Sequence, residues 1–171
     1  RKNLPPELAQ ELAAFVDESV RALLVNRGDF DQATIDEIME VVHRRMAYAS
    51  NTGEENPADR ARRLHKQGAL DEAVLSDALA MRDYDFVTTA IACLGGAPSS
   101  EIARIMDMQA PKSVVAICWK AGLSMRMAFR IQQEMARISH KELIYPRDGT
   151  DYPLDRDELN WQLEFLGIKA A

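Results

Sequence analysis

Apolar positions recur along this chain with a helical period. Residues 5–26, PPELAQELAAFVDESVRALLVN, carry Leu8, Leu12, Phe15, Val16, Val20, Leu23 and Leu24 at helical spacing, behind prolines suited to a first turn. After RGDFD the pattern resumes with Ile35, Ile38, Met39, Val42 and Met46, which predicts a second helix over about 32–50. The short connection makes residues 1–50 a long helical hairpin. SNTGEENP, at 50–57, is polar and rich in turn formers, so it reads as a loop or a boundary.

Beyond it the periods shorten. The pattern predicts helices near 58–67, 71–81, 84–94, 99–107, 111–121 and 124–139, with caps or breakers at Asp71, Gly95, Gly96, Pro98, Ser99, Pro111, Gly122 and Ser124. GALDEAVLSDAL, GAPSSEIARIMD and GLSMRMAFRI echo one another. Each places a glycine shortly before a capping residue and an apolar run, at starts 68, 96 and 122. That rhythm suits stacked short helix pairs, in a HEAT-like or irregular helical repeat over 57–139.

Residues 140–171 form a C-terminal arm and a short docking helix, expected to fold as one cooperative unit with the rest. In this arm Asp155 can cap a helix with Glu158 completing a capping box, Leu154 and Leu159 can staple it, and Gly167 can stop it. At about 100° per residue, Leu159, Leu163 and Leu166 share one face, and Trp161 and Phe165 fall nearly opposite. Two readings follow for the aromatic pair: burial in a groove of the same domain, or a face offered to a partner.

Charge narrows the roles. The net charge is −6, which argues against non-specific nucleic-acid binding as the main activity. Residues 97–147 nevertheless hold 8 basic and 4 acidic side chains, between acidic flanks. On the helix predicted from Ser124, Arg126, Arg130 and Arg137 fall within about 40° of one another and make a basic stripe. It reads as a solvated face, as a partner for the acidic arm, or as a docking surface for an acidic or phosphorylated ligand. A second cluster, Arg60, Arg62, Arg63 and Lys66, carries less weight.

No catalytic constellation emerges. Glu40 and His43 have the Glu-x-x-His spacing of half a di-iron site, but no second copy exists and both fall off the core-facing side of Ile35. The acidic run from Asp148 places its glycine at the second position, where a calcium loop needs it at the sixth. CLGGAPSS lacks the lysine of a phosphate loop. No metal, cofactor or catalytic residue is therefore assigned. Cys93 and Cys118 lie in apolar surroundings without Cys-x-x-Cys spacing, which suits free thiols in a reducing compartment. No apolar run approaches the roughly 20 residues of a membrane span. The chain opens at Arg1 rather than Met, which reads as a trimmed piece, so a preceding signal or domain stays open.

LPPELAQELAAFV with VRALLVNRGDF, AGLSMRMAFRIQQEMARI, and above all YPRDGTDYPLDRDELNWQLEFLG resemble the bacterial family catalogued as domain of unknown function 2336. The likeness runs over nearly the whole chain and implies a cytosolic, all-helical protein without assigned activity. The sequence thus points to an all-α, non-enzymatic interaction module or scaffold, regulatory in character. Arg126, Arg130 and Arg137 would orient a protein partner and Trp161 and Phe165 anchor it, with a homodimer through the hairpin as a linked expectation. The alternatives are a domain for a small or phosphorylated ligand and a nucleic-acid-binding solenoid.

Overall fold

In the computed structural model, residues 6–51 and 55–169 are described, with side chains over 15–48 and 55–169. The described chain is all-helical, with nine α-helices and no strand, and it divides into two compact units, residues 1–51 and 52–171.

The first unit is the hairpin. Helix α1 (Pro6–Arg27) and helix α2 (Gln32–Asn51) pack against each other. Asp31 caps α2 by accepting from the Thr34 amide at 2.8 Å. Polar pairs cross between the helices. Arg21 meets Asp36 at 3.0 Å, and His43 Nε2 meets Asp17, so the sequence-flagged histidine serves an interhelical contact.

The second unit is built from α3 (Pro57–Lys66), α4 (Glu72–Ala80), α5 (Tyr84–Gly95), α6 (Ser99–Asp107), α7 (Pro111–Lys120), α8 (Met125–Glu134) and α9 (Arg156–Phe165). Helices α5 and α7 form its centre. Helix α5 packs on α3, α4, α6 and α7, and α7 packs on α6, α8 and α9. A helix surrounded in this way must be apolar or small nearly all round. Phe86, Val87, Ala90 and Ile91 of α5 and the unbroken run Ser113–Cys118 of α7 are buried accordingly. The packing of successive short helices is consistent with a repeat-like arrangement.

The glycine echo has a local cause. Gly68, Gly96 and Gly122 all take a left-handed φ, of 67°, 64° and 72°. After each, the next amide reaches the carbonyl five residues back: Ala69 to Leu64, Ala97 to Ala92 and Leu123 to Cys118. This is the helix-ending turn for which a residue without Cβ is best suited. Asp71, Ser124 and Asp155 then accept amide hydrogen bonds at the next helix starts.

Helix α8 is shorter than its periodicity predicts. It stops at Glu134, and Arg137 takes a left-handed φ of 52°. The reason is non-local. The side chain of Gln132, fully buried, donates from Nε2 to the Ile144 carbonyl and accepts from the Ile144 amide, both at 3.0 Å. Those two bonds hold residues 135–144 back along the helix. Burial of Ile138 and Leu143 accompanies the return.

Candidate functional site

The site begins with α9. Asp155 caps it, accepting from the Glu158 amide at 2.8 Å, and Gly167 closes it with φ 74°. Only half of the predicted capping box forms, because the Glu158 carboxylate pairs with Lys112 of α7 instead. Leu159, Leu163 and Leu166 are buried, and α7 covers that side. The opposite side is open. Trp161 is 58% exposed and Phe165 69%, and their rings stack with centroids 5.8 Å apart and planes 22° from parallel. The helix is thus laid against its own unit by its leucine side, while the aromatic pair is exposed.

Along α9 the charges flanking Trp161 are acidic, while at the end of the helix Arg104 of α6 reaches the Leu166 carbonyl at 3.4 Å. By the turn of the helix, Asp157, Glu158 and Glu164 fall within about 60° of Trp161. Asp157 and Glu164 are exposed. The neighbouring cation, Lys112, is occupied by Glu158. The surface is therefore an aromatic step with acidic residues beside Trp161.

The predicted basic stripe does not exist as a free surface. Arg126 remains exposed but donates from Nε to the Gly149 carbonyl of the arm at 3.3 Å. Arg130 bonds Glu134 at 2.8 Å and the Ser76 hydroxyl at 2.7 Å. Arg137 lies beyond the end of α8 and so leaves the stripe altogether. The reading in which the arm folds back onto the arginines holds for Arg126, which meets a backbone carbonyl there and not a carboxylate. The arginines of α3 are similarly spoken for. Arg60 is buried, pairs with Asp83 at 2.6 Å and lies 4.7 Å above the Phe86 ring, while Arg62 and Arg63 bond Asp59 and Glu55.

The arm itself is a tight turn. Arg147 and Asp151 face each other across a backbone bridge, and Asp148 and Gly149 supply the left-handed residues at its tip. Tyr152 then donates its hydroxyl to the Leu123 carbonyl at 2.8 Å. Burial, with lesser contributions from nearby Cys118 and Glu72, pushes the Tyr152 phenol well above its ordinary value; Cys118 is likewise raised, chiefly by burial. A buried thiol held in the protonated form is a poor nucleophile. Among the described residues no cluster of three His, Cys, Asp or Glu side chains has metal-binding geometry.

A cavity of about 340 Å³ opens between α5, α6 and the segment after α8. Arg137, placed in the stripe by periodicity, is one of its lining residues, together with Tyr84, Met106, Asp107, Gln109 and Met135. Gln109 also has a left-handed φ, of 51°, and its side-chain amide donates to the Arg137 carbonyl at 3.4 Å. Tyr84 donates to the Glu134 carbonyl at 3.0 Å. Sequence reasoning finds none of the cavity residues except Arg137. Nothing in the helical pattern signals where a helix end on one segment will meet a helix end 28 residues later.

The sequence pattern of a bacterial family described as "Uncharacterised protein conserved in bacteria (DUF2336)" matches residues 1–150. The chain belongs to the DUF2336 family. Helix α9 and its aromatic pair lie beyond the matched span, so the DUF2336 match rests on the hairpin and on α3 to α8, and the C-terminal stretch that seemed most specific to the family contributes only its first residues. No curated protein and no solved structure matches this DUF2336 chain.

Proposed function

We propose that this DUF2336 chain is a non-enzymatic, cytosolic interaction module that presents α9 to a protein partner. One observation carries the reading: Trp161 and Phe165 stack in solvent on a helix whose opposite face is fully engaged with α7. Large aromatic side chains left in water forfeit the burial that stabilises them elsewhere, and such anchors dominate many interfaces. The acidic residues beside Trp161 support a basic partner. They suit a segment with one or two apolar side chains flanked by Lys or Arg, and charges of that kind contribute register and association rate more than affinity. Of the five residues expected to bind, this reading assigns the contact to Trp161 and Phe165, while Arg126 and Arg130 bond within their own unit and Arg137 lines the cavity.

The experiment replaces Trp161 with a photo-reactive aromatic amino acid in the native cell and identifies the cross-linked peptide. The expected product is a basic, apolar segment whose yield falls when Phe165 is changed to Ser. A yield no higher than that from the same group at exposed Arg62 overturns the reading.

A second reading concerns the hairpin. Phe15, Leu23 and Val25 of α1 are exposed, at 70%, 67% and 54%, and they favour self-association through this unit. Light scattering of the parent at high concentration distinguishes a dimer from a monomer, and Phe15→Ser with Leu23→Ser abolishes the dimer if the hairpin forms it.

A further inference from the structure

We infer that the cavity between α5, α6 and the turn after α8 binds a small zwitterion of the α-amino-acid class with an apolar side chain. Its volume, about 340 Å³, falls within the range of about 300–1,000 Å³ common for small-molecule sites. The argument rests on how its lining is divided, and it is independent of the role given to α9.

The lining is mixed: Met106 and Ala136 are buried, Met135 is half-buried and Ala103 exposed, and Tyr84 and Thr88 add hydroxyl groups. The exposed lining residues Asp107 and Arg137 bring one anionic and one cationic group to the mouth. They do not pair with each other, and among the described residues neither side chain has a hydrogen-bond or ion-pair partner. Arg60, Arg63, Arg104 and Arg130 of this unit each meet a carboxylate, of Asp83, Glu55, Glu101 and Glu134. Arg137 lines a cavity together with an acid that it does not meet.

The frame that holds it there is built from other polar groups. Gln109 donates to the Arg137 carbonyl and Tyr84 to the Glu134 carbonyl, so the turn after α8 is tied to α5 and to the end of α6 without using either charge. A guanidinium binds a carboxylate through forked donors, and a carboxylate accepts from an ammonium. A ligand carrying both ions on one carbon satisfies Arg137 and Asp107 together, and its side chain then enters the space between Met106 and Met135. An anion alone leaves Asp107 unmatched, and an amine alone leaves Arg137 unmatched.

The test uses the full chain and titrates L-leucine, L-methionine and L-phenylalanine by calorimetry, with amide resonances of the cavity residues followed in parallel. At least one of the three is expected to bind saturably, and 4-methylpentanoate and isoamylamine, which each keep one charge of leucine, at least about tenfold more weakly than leucine's class. Arg137→Asn and Asp107→Asn are each expected to weaken binding by about tenfold or more, whereas Arg62→Ala leaves it unchanged. Asn tolerates the left-handed backbone at position 137, so that variant keeps the turn. The inference is overturned if no amino acid moves the cavity resonances up to about 10 mM, or if the single-charge analogues bind as well as the zwitterion. Because the analogue comparison uses the unaltered chain, it decides the matter even where a variant fails to fold.

Discussion

Gln132 and Ile144 exchange two hydrogen bonds, side chain to backbone, across 12 residues of chain, each at 3.0 Å. The carboxamide behaves as a peptide group would in a ladder, and it lies fully buried. Replacing it by Leu keeps much of the volume and leaves the amide and carbonyl of Ile144 without partners. We expect Gln132→Leu to destabilise the second unit by about 1–3 kcal/mol, since an orphaned polar group costs its desolvation. Urea unfolding followed by circular dichroism measures this, and a loss below about 0.5 kcal/mol shows that the clamp does not hold the returning segment.

The Arg60–Asp83 pair separates buried from exposed charge. The two side chains are 6% and 17% exposed, and Asp83 also caps α5 at the Phe86 amide. Asp83→Ala is expected to cost about 3–5 kcal/mol, because it removes the carboxylate that meets a buried guanidinium and also removes a cap. Arg62→Ala, which breaks an exposed pair with Asp59, is expected to cost less than about 1 kcal/mol. Thermal melts of the two variants side by side test the contrast.

Helix α9 offers the same contrast for apolar groups. Leu163 is fully buried against α7, so Leu163→Ala should cost about 2–5 kcal/mol. Trp161→Ser and Phe165→Ser remove exposed rings and should alter stability by about 0.5 kcal/mol or less. If the aromatic variants melt as early as Leu163→Ala, the rings serve the fold and not a partner.

Alkaline pH should act through Cys118 and Tyr152. Both hold their protons in the folded chain above their ordinary values, mainly because burial disfavours the anion. The unfolded chain releases these protons first. Stability is therefore complete at neutral pH, begins to fall as pH passes about 8.5 through Cys118, and falls more steeply beyond about 10 through Tyr152, by up to about 1.4 kcal/mol per pH unit for each group. Tyr152→Phe should lose about 0.5–1.5 kcal/mol at pH 7 with its bond to the Leu123 carbonyl, yet show the shallower decline above pH 10. Parallel slopes for parent and variant between pH 10 and 11 would exclude this role for Tyr152.

Local chemistry alone determined the helical class and most helix boundaries. Asp71, Ser124 and Asp155 cap because a short polar side chain can satisfy amides that no helix of its own can, and Gly68, Gly96 and Gly122 stop helices because they lack Cβ. The same periodicity put Leu159, Leu163 and Leu166 on one face of α9 and the two aromatics on the other. What only the tertiary structure decided was which faces are covered. Arg60, legible as one charge in a basic cluster, is buried because Asp83 and the Phe86 ring lie against it. Trp161 and Phe165 face solvent because α7 covers only the leucine side. Arg137 left its stripe for a cavity because Gln132, five residues earlier, bonds Ile144, seven residues later. Helical spacing records the preferences of a segment for itself, whereas burial and pairing between segments depend on partners far along the chain.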